Sequence, residues 1–137
     1  MKRMYTKKEE ILTDMLGDYV AAIEETMSLR HVAYGQSIVI VLDNDRRMKM
    51  ALTGTNGCDV LDALELTIVS KTRGQIDREV VPFRETFAEY EHRDVVARTY
   101  KRVWERNDHA WCWSAMPSSD DIGGLTEVVA KYLQAWL

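Results

Sequence analysis

Cys58 falls in the run Gly54-Thr55-Asn56-Gly57-Cys58-Asp59, between a strand-like and a helix-like stretch. A thiol at the start of a helix meets free backbone N–H groups and the positive end of the helix dipole. Both favour the thiolate and make the sulfur a nucleophile. The neighbouring Asp59 carboxylate opposes that effect, and no motif selects a base among His31, His92 and His109. The competing account is an inert core cysteine, because cysteine is among the most buried residue types. The glycines of the same run, with Thr53 and Thr55 as hydroxyl donors, could also cradle an anion. The spacing of a phosphate-binding P-loop is missing, however, and Asp59 would repel phosphate.

A second group of residues gathers near Trp111-Cys112-Trp113, which follows Glu105-Arg106-Asn107-Asp108-His109. Trp111 or Trp113 could stack on a flat ligand while Asp108 or His109 hydrogen-bonds it. The same tryptophans serve equally well as core residues. On one helix face, Glu85, Glu89 and His92 would make a Glu-x-x-His arrangement. A di-metal carboxylate site needs a second copy, which the chain lacks, so we expect a solvated face and no metal or cofactor. Arg93, Arg98, Lys101, Arg102 and Arg106 accompany Tyr100 and Trp104, as a nucleic-acid-binding face would. Helical spacing puts those aromatics on the apolar stripe, leaving the arginines as ordinary solvated charges.

The elements that must position these residues are read from periodicity. Thr6-Lys7-Lys8-Glu9 has the form of a capping box. Leu12, Met15, Leu16, Tyr19, Val20, Ile23 and Met27 then predict a helix ending near Arg30-His31. Ser37 to Leu42 reads as a central strand buried on both faces, and Met48, Met50 and Leu52 alternate with polar neighbours as a strand with one wetter face. The two form a hairpin over 37–53. A helix capped by Asp59 is expected to bury Leu61, Leu64, Ile68 and Val69 as far as Gly74. Gln75 to Val81 can be written as a short strand or as a linker. Pro82 opens a long helix over 83–106, with Phe83, Phe87, Tyr90, Ala97, Tyr100 and Trp104 as its stripe. A strand near 111–116 precedes a final helix built on Leu125, Val128, Val129, Tyr132, Leu133 and Trp136.

The fold class expected is therefore α+β. A small antiparallel or mixed sheet, the hairpin 37–53 plus a strand near 111–116, is flanked by about four helices in one domain, 1–137. At 137 residues, with 46% apolar and 29% charged residues, the chain can bury a core without disulfide or metal staples. Cys58 and Cys112 share no Cys-x-x-Cys spacing, and the charged opening contains no apolar leader. These features point to a cytoplasmic protein without a membrane span. A net charge of −4 gives no general attraction to nucleic acid, which is not the expected partner.

The leading functional reading is a small binding or interaction module that works through a protein partner, itself or a small ligand. Its binding surface would combine Asp108, His109, Trp111 and Trp113 with Thr55 and Cys58. Self-association would use the C-terminal helix, whose apolar stripe runs to the last residue, as a homodimer contact. The balance is against an enzyme. The alternative is a thiol-dependent enzyme with Cys58 as nucleophile, and a third reading is nucleic-acid association through the basic face of the helix 83–106.

Overall fold

The computed structural model of the chain describes residues 4–5, 7–54, 60–87, 100–105, 108–113 and 118–137. In chain order the elements are β1 (Met4–Tyr5), α1 (Lys8–Met27), β2 (His31–Tyr34), β3 (Ser37–Val41), β4 (Arg46–Thr53), β5 (Val60–Leu61), β6 (Ala63–Ser70), β7 (Gly74–Pro82), α2 (Phe83–Thr86), β8 (Tyr100–Glu105), β9 (Asp108–Trp113) and α3 (Ser119–Trp136). Five strands, β2-β3-β4-β6-β7, form one antiparallel sheet, and β1-β9-β8-β5 form a smaller one. The expected architecture of about four helices around a small sheet is thus corrected. Among the described residues there are two long helices, α1 and α3, and a single helical turn, α2.

Ile11, Leu12, Met15, Leu16, Val20 and Ile23 recur every three or four residues and are all buried, which defines the inner face of α1. Lys7 is the N-cap and makes no side-chain cap hydrogen bond, and Thr6, which opens the expected capping box, lies outside the described residues. Ser28 stops the helix with a left-handed backbone at φ 55, so Arg30-His31 leads into β2 and not into a last helical turn. β2 turns tightly into β3 through Gly35-Gln36. Gly35, at φ 63, takes the first central position of a two-residue hairpin, where a Cβ would be strained.

The helix expected between Asp59 and Gly74 is instead strand β6, paired with β4 from Thr53↔Ala63 to Arg46↔Ser70. Leu64, Leu66 and Ile68 alternate along it and are fully buried. Thr67, Ile68 and Val69 are β-branched, which suits a pleated surface better than a helix. Gly74, at φ 76, ends no helix. It completes the turn into β7, the strand that residues 74–82 form.

The long helix expected over 83–106 also gives way. α2 ends at Thr86, Phe87 is already extended, and Tyr100–Glu105 is strand β8. Phe83 and Phe87 stack with centroids 4.9 Å apart and bury against α3, where Gly124 comes so near Thr86 that an added Cβ would sit 3.2 Å from its carbonyl oxygen.

α3 begins at a true capping box: Ser118 Oγ accepts from the Asp121 N–H at 3.1 Å, and Asp121 accepts from the Ser118 N–H at 3.2 Å. Its residues Leu125, Val129, Tyr132 and Leu133 join α1 and the sheet in one core. The Tyr132 hydroxyl donates to Asp77 of β7 at 2.6 Å, fastening the helix to the edge of the sheet. Of the apolar stripe expected to support a homodimer, Leu125, Val129, Tyr132 and Leu133 are buried within the chain, while Leu137 at its end is 50% exposed. Met15, Met48 and Met50 are buried as well, and Met27 is exposed. Among the described residues no helix is long and apolar enough to cross a membrane.

Candidate functional site

Both long helices contribute to a core on one side of the five-stranded sheet, where Ile38, Ile40, Met48, Met50, Leu52, Leu64, Leu66 and Ile68 point. The intervening residues make up the opposite face. Its rows run Val32, Val39, Lys49, Thr67, Arg78 and then Val41, Arg47, Val69, Gln75. The reading of β3 as buried on both faces is corrected here: Ser37, Ile38 and Ile40 are buried, whereas Val39 and Val41 are only half-buried. Val32 is 41% exposed, an aliphatic side chain left in water on a sheet surface.

These three valines floor a shallow trough of about 320 Å³, with Arg30 and Arg47 on its rims. Arg30 is exposed and Arg47 half-buried, and among the described residues neither has an ion-pair partner. The same holds for exposed Lys49, next along the row from Val39. Arg78 is different, since it pairs with Glu65 at 2.9 Å. A second depression of about 310 Å³, lined in part by Gly35, Ser37, Lys49 and Ala51, lies toward the hairpin turn of β2 and β3.

Local hydrogen bonding holds this end of the sheet in shape. Asp43 accepts from the N–H groups of Asp45 and Arg46 and binds the Arg46 guanidinium, whereas Arg47 has no ion-pair partner among the described residues. Ser70 Oγ donates to Asp45 at 2.9 Å, and the Lys71 N–H donates to the Asp45 carbonyl at 3.0 Å, so the β3–β4 and β6–β7 turns are tied together. Across the sheet edge, Glu24 of α1 accepts from the His31 N–H at 2.8 Å. That bond is the main reason the Glu24 carboxyl is held below its ordinary range. The same oxygen lies 2.6 Å from His31 Nδ1, an ion pair when the imidazole is protonated.

Of the residues singled out from sequence, Thr55 and Cys58 lie outside the described residues, as do Glu89, His92, Arg93, Arg98 and Arg106. Asp108, His109, Trp111 and Trp113 all fall on β9. In the strand register His109 pairs with Trp104, Trp111 with Arg102 and Trp113 with Tyr100, and β1 joins the other edge of β9 with Tyr5 opposite Trp111. Leu61 of β5 pairs with Tyr100 and is buried in the core. Lys101 and Arg102, expected on a basic helix face, lie in strand β8 and not in a helix. Glu85 lies in α2, which ends at Thr86, whereas Glu89 and His92 of the Glu-x-x-His spacing lie outside the described residues.

The trough was not foreseen because its residues come from three segments. A signal was nonetheless available: the wet face of β4, Arg47 and Lys49, pairs with Val41 and Val39 once the hairpin register is set. Two unpaired guanidinium groups beside an aliphatic floor can hold an anionic group attached to an apolar body. Among the described residues no nucleophile, acid or base lines the trough. No family model, curated protein or solved structure matches this chain.

Proposed function

We propose that this protein is a binding module that works through the outer face of its five-stranded sheet. The observation that carries this reading is the valine trough, open to solvent and rimmed by Arg30 and Arg47, on a face that neither long helix covers. Single exposed aliphatic residues are ordinary, but three contiguous valines flanked by two cations without ion-pair partners among the described residues have the make-up of a contact surface. A trough lined by binding groups without reacting ones favours a partner over a substrate. The wide spacing of the two cysteines supports a cytoplasmic setting.

The test compares bait proteins immobilised from the same host extract: wild type, Val39→Asp, and Asp14→Lys on the exposed side of α1. Each variant is first checked for a wild-type far-UV spectrum. The expected result is a retained species lost with Val39→Asp and kept with Asp14→Lys. An identical retained set for all three sinks the reading. Selective labelling of Cys58 by iodoacetamide in the folded protein, titrating well below the ordinary thiol range, would instead favour a thiol enzyme.

A further inference from the structure

We infer that the partner of the outer sheet face is an acidic polypeptide segment that seats an aliphatic or aromatic anchor residue in the valine trough. The inference rests on the outer face being the binding surface. It adds the chemical class of what binds there.

Charge is the first argument. The chain carries a net charge of −4, yet Arg30, Arg47 and Lys49 stand on or beside this face without ion-pair partners among the described residues. Glu65, the acidic residue of the neighbouring row, is already engaged by Arg78. The face is therefore opposite in sign to the molecule that carries it. A partner rich in carboxylates is attracted to this face, and one rich in cations is repelled by it.

Shape is the second argument. Small-ligand sites bury most of their ligand, whereas this trough leaves Val32, part of its floor, 41% exposed. A small acid would be left largely in water. A polypeptide can place one side chain over Val32, Val39 and Val41 and continue past Lys49 towards the depression at the hairpin turn. Single-stranded nucleic acid would offer phosphates to the arginines, but its bases need aromatic platforms, and the floor of the trough is aliphatic.

The experiment is an amide chemical-shift titration of the isotope-labelled protein with four probes: a glutamate–tyrosine random copolymer, polyglutamate, oligothymidylate and sodium octanoate. The copolymer is expected to shift Val32, Val39, Val41 and Arg47 and to bind more tightly than polyglutamate. Arg47→Glu is expected to weaken copolymer binding by about ten-fold or more. If that variant loses its dispersed spectrum, Lys49→Glu on the exposed part of the row serves in its place, with the same direction expected. Shifts on this face from oligothymidylate or octanoate at equal or higher affinity overturn the acidic-polypeptide assignment while leaving the face as the binding surface. Unchanged copolymer affinity in a folded charge-reversal variant overturns it too. No shift on this face with any probe overturns both the assignment and the proposed function.

Discussion

Asp43 accepts hydrogen bonds from the N–H groups of Asp45 and Arg46 at 2.8 and 2.6 Å, and its second oxygen takes the Arg46 guanidinium at 2.9 Å. The two backbone donors and the guanidinium pull its pKa from 3.8 to about 2. A carboxylate whose folded pKa lies below its unfolded one stabilises the protein above the unfolded value, and that stabilisation disappears as pH falls through the folded one. Asp43→Ala is therefore expected to lower the urea midpoint near neutral pH. The gap to wild type should close as pH falls from about 5 to about 2. A gap that stays constant over this range would mean that the side chain acts through shape and not through charge. Glu24 shifts in the same direction and adds to acid sensitivity at the junction of α1 and β2.

β6 lies between β4 and β7, and Leu66 at its centre is fully buried, opposite Met50 on one side and Glu79 on the other. Leu66→Ala is expected to cost about 2–5 kcal/mol, read from urea unfolding, because the packed neighbours cannot collapse fully into the space. A loss well under 1 kcal/mol would contradict the central position of this strand. The residues of β6 also show why its identity was hard to read. Leu64 and Ile68 are four apart, a spacing shared by one turn of helix and two steps of strand, and Tyr100 and Trp104 repeat the ambiguity in β8. Leu66 and Arg102, midway between each pair, separate the two periods only when side-chain pairing is known. β2 escaped notice because four residues give no measurable period, and Gly35 served equally well as the end of a helix or the corner of a hairpin. α1 and α3 were legible because each repeats its stripe over several turns, and α3 adds the local signal of Ser118 with Asp121. The site was less legible than either helix: Arg30 with Val32, Val39 with Val41, and Arg47 lie on three separate segments and meet only through strand register.

At the scale of the whole molecule, one hydrophobic core joins α1, α3 and the inner face of the large sheet, and Leu133 is wholly enclosed in it. Leu133→Asp would place an unpaired carboxylate there, at a cost of about 4 kcal/mol or more, a large share of a small domain's stability. The expected result is loss of the cooperative unfolding transition by circular dichroism. A variant that keeps its melt and only changes elution volume would show that this helix serves an interface between copies. The two faces of the sheet consequently answer to different demands. Substitutions at Ile40, Met50 and Leu66 remove folded protein and so reduce cellular abundance. Substitutions at Val32, Val39 and Val41 leave abundance nearly intact and register only when growth depends on the interaction. In a library scored once for protein level and once for fitness, adjacent positions of a single strand, Val39 and Ile40, would carry opposite signatures.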